Sequence, residues 1–429
     1  MRVLMFGWEF PPHIAGGLGT ACKGIVEGLA HNGVETLFVM PSASGDEDQS
    51  CTTIINASDV EVHNVSQTVD EFLDKVKFIH VDSNLVPYVD PDEYFEAIEK
   101  MKKEKRTSTT VGFGQKFKFS GKYGANLMEE VSRYAQVGGT IAMQHAGEFD
   151  VIHAHDWLTY LAGIAAKELS GKPLVVHVHA TSFDRGSDDM VDTRVYAIEK
   201  RGMEMADRVV AVSELTRNIV INKYGIDPSK VVAVHNAVDF SGRENLQVER
   251  GVRDKVVTFL GRITYQKGPE YFIDAAAKVL KRTKGVRFVM AGSGDMMNKA
   301  IRQVARLGIA DRFHFTGFLR GSDVQKMFAL SDVYIMPSVS EPFGISPLEA
   351  MRSNVPSIIS YQSGAAEILK YAFKVDFWDV DAMADDIYAL LQYPALSKFA
   401  EKHGLEEVNA LKWDHAAAKL KNIYEQITK

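Results

Sequence analysis

The sequence predicts an α/β protein made of two Rossmann-like, doubly wound domains facing a cleft. Three observations lead there. Short apolar runs recur along the chain, each followed by a stretch with apolar residues at helical spacing. At 429 residues the chain exceeds what a single core usually serves. The polar "VVAVHNAVDFSGRENLQVERGVRDK", residues 231–255, interrupts the α/β rhythm, which then starts again.

The elements follow in order. "RVLMFGWEF" and "TLFVMP" read as buried strands around the helical "GTACKGIVEGLAHNG", which stops at Asn32-Gly33. "DVIHAHD", "PLVVHVHA" and "RVVAVS" continue as strands, with "LTYLAGIAAKELSGK", "TRVYAIEKRGMEMAD" and "LTRNIVINKYG" as helices. Residues 66–125 lack this rhythm and read as an insertion, its lysines most simply a solvated face. The second series has strands "VVTFLGR", "VRFVMAGSG", "RFHFTGF", "DVYIMPS" and "VPSIIS" with helices between them. "AMADDIYALLQ" and "EVNALKWDHAAAKLKNIYEQIT" close the chain as helices. The expected domains are 1–240 and 250–400, with 401–429 returning to the first.

Composition excludes several classes. Hydrophobic content of 46% and charged content of 24% suit an ordinary folded chain. A net charge of −7 offers no global attraction to nucleic acid or an anionic membrane. Two cysteines, Cys22 and Cys51, indicate no disulfide framework. The opening "MRVLMFGWEFPP" is too soon interrupted for a signal peptide, and no apolar run reaches membrane-span length. A cytoplasmic protein without membrane association is expected.

Four stretches carry candidate chemistry. "PPHIAGGLGT" lies between first strand and first helix, where glycines such as Gly16 and Gly17 let backbone approach an anion; a tight turn explains it equally well. "GRITYQKG" places Arg262 and Lys267 in a loop after the first strand of the second half, a pairing suited to a diphosphate. "HAHD" and "HVH" place His153 and His155, and His177 and His179, on one face of their strands. Four histidines suggest zinc, but one histidine per pair as a substrate ligand is the preferred reading, with no metal.

The fourth stretch is "SEPFGISPLEA". Ser346 can cap the helix that follows and Pro347 suits its first position. Phe343, Gly344 and Ile345 then offer amides, with Glu341 in the loop and Glu349 in the first turn. Dipole stabilisation explains Glu349 alone but not Glu341. Two carboxylates beside an anion-binding turn suit a polyhydroxylated anion, which describes a nucleotide sugar.

With these motifs in place, the sequence resembles retaining GT-B glycosyltransferases of family four, the clan that holds glycogen and starch synthases. The resemblance spans the whole chain, through "GGLG", "HAHDW", "HNAVD", "GRITYQKG", "AGSG", "FTGF" and "EPFGISPLE". It implies that Gly16 and Gly17 meet the donor phosphates and that Arg262 and Lys267 neutralise the leaving diphosphate. It implies that Glu341, helped by the amides of Phe343, Gly344 and Ile345, holds sugar hydroxyls. Glu349 would take the ribose and Leu319 would lie near the base. His155 would contact the sugar near its O6, and Asp156, Trp157 and His179 would form the acceptor side. It implies no cofactor and no metal beyond the nucleotide-sugar donor, ADP- or UDP-glucose, and an α-glucan or maltodextrin acceptor.

Three positions depart from the pattern. Ile14 stands where bacterial glycogen synthases carry a lysine, Ala237 replaces a glycine, and "QSGAAE" keeps Gly364 of a glycine pair. The missing lysine weakens ADP-glucose as donor. Two alternatives remain: a transferase with a small or lipid acceptor, and a catalytically silent glucan-binding protein.

Overall fold

The computed structural model describes residues 1–13, 17–62, 115–121, 124, 126–186, 191–238, 246, 248–251 and 253–429. Gly16, Ile14 and most of the expected 66–125 insertion lie outside the described residues. The chain divides into two compact units: residues 1–183, 187–236 and 413–429, and residues 184–186 and 237–412.

The first unit is built on β1 (Arg2–Phe6), β2 (Glu35–Met40), β3 (Thr53–Asn56), β4 (Glu61–Val62), β5 (Gln115–Lys116), β6 (Val151–His155), β7 (Leu174–Val178), β8 (Arg208–Ala211) and β9 (Val231–Ala233). Seven of these form one sheet in the order β3-β2-β1-β6-β7-β8-β9, while β4 and β5 pair antiparallel. Every neighbour pair of the large sheet is parallel, as continuous apolar runs such as "RVLMF" require when both faces are covered. The strand order reverses between β1 and β6, so the loops after these strands diverge at the carboxyl edge of the sheet. His155 stands directly opposite His177 in the β6–β7 register.

The terminal helix Trp413–Ile427 lies against the first helix, Gly17–His31. Gly24 and Gly28 make this approach possible. They lie one helical turn apart on one face, and a Cβ at Gly24 would collide with the Trp413 ring. Glycine in a helix costs about 1 kcal/mol, and burial of Trp413 offsets it. The closing sequence was expected as one long helix. It is two, Pro394–Ala410 and Trp413–Ile427, and residues 401–412 are part of the second unit.

The second unit contains β10 (Lys255–Leu260), β11 (Val286–Ala291), β12 (Phe313–Gly317), β13 (Val333–Met336), β14 (Ser357–Ser360) and β15 (Phe373–Val375). They form a parallel sheet in the order β12-β11-β10-β13-β14-β15. Here the order reverses between β10 and β13. Its core joins Phe259, Phe272, Phe288 and Ile335 with Met383 and Ile387 of the helix Val380–Gln392. Close backbone approach at the carboxyl edge depends on glycine. Gly292 has φ 147°, and a Cβ there would collide with the Gly261 carbonyl. No helix among the described residues is long and apolar enough to cross a membrane.

Candidate active site

Each unit gathers predicted residues at its own carboxyl edge. In the second unit the loops after β10 and β13 meet where the strand order reverses. The β10 loop holds Arg262, whose Nη2 donates to Gln266 Oε1 at 3.3 Å. It ends in a short 3-10 turn, Tyr265–Lys267, and Gly268 at φ 64°. A Cβ at Gly268 would collide with the Pro337 carbonyl, so glycine lets the two loops touch. Gln266 also accepts through its backbone carbonyl from the Val339 amide at 2.8 Å.

Lys267 Nζ donates to Glu341 Oε2 in an ion pair that is largely buried, with side-chain exposures of 18% and 9%. Removing either partner would leave a charge in a poorly hydrated place. Ser338 Oγ also donates to Glu341 Oε2, at 3.3 Å. The backbone of Glu341 is tied to the loop after β14. Its amide donates to Gln362 O at 2.9 Å, and its carbonyl accepts from Gly364 N at 2.9 Å. The Ala365 amide donates to Phe343 O at 2.7 Å. The Gly364 noted in the sequence is thus part of the support for this turn.

Gly344 sits at φ 93°, and a Cβ there would come within 2.8 Å of Met336 Cε. The amides of Gly344 and Ile345 donate to no acceptor among the described residues. The helix that follows starts at Ser346, with Pro347 as its second residue. Ser346 does not cap it as expected. Its Oγ instead accepts from the Tyr334 hydroxyl at 2.7 Å, so the buried phenol wins the serine. Burial first, and then the carboxylates of Glu341 and Glu349, push the Tyr334 hydroxyl well above its ordinary range. Glu349 lies in the first turn of this helix and is partly exposed. Leu319 packs on a small cluster with Val256, Val289, Ala291 and Met327.

The first unit's edge is made of histidine. His153, His155 and His177 are at most 1% exposed, and His179 beside them is partly exposed. The rings lie over one another, with centroids 4.4 Å apart for His153 and His155 and 4.3 Å for His177 and His179. Burial drives all four toward the neutral form. It holds His179 down to about 3 and, with the neighbouring His179, holds His153 there too. His155 and His177 are lowered by burial first and by the adjoining imidazoles after it.

His153 Nδ1 is 2.6 Å from the Tyr424 hydroxyl, and His155 Nδ1 is 2.9 Å from His179 Nε2. Among the described residues, the Nε2 atoms of His153 and His155 and both nitrogens of His177 are buried without partners. Ligand atoms of His153, His155 and His177 lie within 4.8 Å of one another. Their ring planes are inclined by only 6–25°, whereas imidazoles sharing one ion aim their lone pairs at a point. Holding a metal would require these rings to turn.

Three of the expected residues are more enclosed than the sequence implies. The His155 imidazole is fully buried. Trp157 is 1% exposed within the first core and has no open face for a sugar ring. Asp156 does not extend outward. Its Oδ1 accepts from the backbone amides of His179 at 2.7 Å and Ala180 at 3.3 Å, from a residue held at φ 58°. Gly17 opens the first helix, and a Cβ there would meet nothing within 4 Å. Sequence reasoning missed Glu9, a 5%-exposed carboxylate whose Oε1 accepts from Gly19 N at 3.1 Å near that helix start. Its signal was a lone acid in the apolar "FGWEFPP" directly after a strand.

Comparison with known proteins agrees with this architecture. Residues 124–241 match Glycosyltransferase Family 4, and residues 243–405 match Glycosyl transferases group 1. An uncharacterized glycosyltransferase of Methanocaldococcus jannaschii is 28% identical over 99% of this chain and 98% of its own length. A glycogen synthase of Mycobacterium tuberculosis is 22% identical over 99% of this chain and 94% of its own. A D-inositol 3-phosphate glycosyltransferase of Salinispora tropica is 29% identical, over 66% of this chain and 65% of its own. Among solved structures, sucrose-phosphate synthase from Thermosynechococcus elongatus superposes with a TM-score of 0.71 at 17% identity, covering 99% of this chain and 98% of its own. Anabaena HepE in complex with UDP and glucose reaches 0.67 at 17%, covering 99% and 100%. With glycosyltransferase families on both halves and two parallel-sheet α/β domains of the kind its structural neighbours share, the chain is a glycosyltransferase of the GT-B fold.

Proposed function

We propose that this chain is a retaining glycosyltransferase that moves a glucosyl unit from ADP- or UDP-glucose to an α-glucan or maltodextrin. One observation carries the reading. The buried Lys267–Glu341 pair adjoins a glycine-backed turn whose Gly344 and Ile345 amides have no acceptor among the described residues. Such an edge offers a cation and dipoles to a diphosphate and a carboxylate to sugar hydroxyls.

In this reading Arg262 and Lys267 neutralise the diphosphate as the bond to the anomeric carbon breaks. Glu341 accepts hydrogen bonds from the sugar, the amides of Phe343, Gly344 and Ile345 donate to the donor, and Glu349 takes the ribose hydroxyls. Leu319 supplies an apolar contact to the base. The acceptor hydroxyl attacks from the face the diphosphate leaves, and a departing phosphate oxygen takes its proton. Anomeric configuration is then retained without an enzymic nucleophile, and electrostatic stabilisation is the main contribution. The glycogen synthase relative, matched along 99% of this chain, supports the glucan acceptor. The inositol phosphate transferase relative favours a second reading, with the same donor and a small polyol phosphate as acceptor.

The test is nucleoside diphosphate release from purified protein. ADP-glucose, UDP-glucose, GDP-mannose and UDP-N-acetylglucosamine are each supplied alone, with maltodextrin, and with inositol 3-phosphate. Release from a glucosyl donor that rises with maltodextrin is the expected result. Release stimulated only by inositol 3-phosphate would select the second reading, and no release from any donor would overturn both.

A further inference from the structure

We propose that the buried His155 is a positioning residue that fixes the proton of His179, expected from the sequence on the acceptor side, on Nδ1. His155 has two ring nitrogens. Its Nδ1 is 2.9 Å from His179 Nε2, and its Nε2 is buried with no partner among the described residues. A neutral imidazole carries one N–H and one lone pair. An N–H buried without an acceptor is the costlier group to strand, so the hydrogen of His155 belongs on Nδ1. His155 Nδ1–H then donates to His179 Nε2, and His179 must carry its own hydrogen on Nδ1.

The surroundings hold this arrangement. His177 stacks on His179 with centroids 4.3 Å apart and planes 23° apart, which limits rotation of the outer ring. Asp156 grips the His179 and Ala180 amides through Oδ1, fixing the backbone from which the ring projects. The φ of 58° at Asp156 is uncommon for a non-glycine residue, and such strain persists where surrounding bonds over-determine it. His177 has no partner on either nitrogen among the described residues, so one N–H is already stranded inside the stack. A second in His155 would add the same cost again. The outcome is a neutral donor, His179 Nδ1–H, at the carboxyl edge of β7, suited to a sugar hydroxyl oxygen. Its chemistry as a sugar ligand rests on the transferase reading above; its tautomer does not.

The test reads nitrogen-15 shifts of the histidine side chains in the full-length protein at pH 7, with His179 assigned by the signal lost in His179→Gln. The wild-type protein is expected to show His179 protonated on Nδ1 and His155 on Nδ1. In His155→Phe, which keeps a flat ring but removes the donor, His179 is expected to change to the Nε2–H form or to average between the two. Transferase rate should fall about tenfold at saturating donor, the scale of one lost hydrogen bond. His155→Gln, whose amide can still donate to His179 Nε2, should restore the tautomer and most of the rate. His179 protonated on Nε2 in the wild-type protein would overturn the proposal, whether or not any variant folds. So would an unchanged tautomer in His155→Phe. The expected tautomers in a protein that transfers no sugar would instead refute the transferase reading alone.

Discussion

The two units use the same scaffold and load its edge in opposite ways. Each has a parallel sheet whose strand order reverses, and each gathers polar side chains beside that reversal. The second unit's edge is charged. Arg262, Lys267 and Glu341 lie in loops that glycines bring together. The first unit's edge carries four imidazoles that burial holds uncharged, beside the hydrogen-bonded carboxylates of Asp156 and Glu9.

Acidification should separate the units most sharply. Unfolded histidines take up protons near pH 6.5, whereas His153 and His179 in the fold do so only near 3. Between those values the unfolded first unit binds more protons, so its stability falls as pH falls, by up to about 1.4 kcal/mol per pH unit for each of the two groups. Asp386 in the second unit behaves oppositely. Burial, and then Asp385, raise it to about 6, so the folded form binds the extra proton and gains a smaller stability on acidification. Trp8, Trp157 and Trp413 belong to the first unit and Trp378 to the second, so tryptophan fluorescence mainly reports the first. Denaturant melts at pH 7, 5 and 4 should show the fluorescence transition moving to lower denaturant. A fluorescence transition independent of pH would erase the distinction.

Substitution at the charged edge comes next. Lys267→Ala and Glu341→Ala are each expected to lower turnover at least tenfold, about 1.4 kcal/mol, with circular dichroism unchanged. Near-normal rates in both would remove these residues from the site. At the histidine edge, His177→Leu deletes from the core two nitrogens without partners among the described residues. Stability at pH 7 should stay level or rise by up to about 1 kcal/mol, and the acid sensitivity should weaken. A large loss would mean that the imidazole has a polar role. The smallest effect is expected from Tyr334→Phe, which removes the bond to Ser346 and should cost about 1 kcal/mol of second-unit stability.

Much of this was legible in the sequence, for reasons that differ by element. Continuous apolar runs announced parallel strands because both faces of each sheet are covered. "EPFGISPLE" and "GRITYQKG" announced the charged edge because the residues gathered there are close in the chain and punctuated by glycine and proline. The histidine face was readable from i, i+2 spacing, but its depth was not. Periodicity shows which way a side chain points, not what lies over it, so His155 and Trp157 were expected at a surface and are in the core. Asp156 was expected to reach outward because its partners, the amides of His179 and Ala180, come from another strand end. The break at Leu411–Lys412 was hidden because helical spacing runs on across it.

The most direct test of the account is calorimetric titration of UDP and ADP into the wild-type protein, Lys267→Ala and Glu341→Ala. Binding of at least one nucleotide by the wild-type chain, weakened tenfold or more in Lys267→Ala, is the predicted result. Equal affinity in all three proteins, or no binding to any, would contradict the assignment of the second unit's edge to the donor.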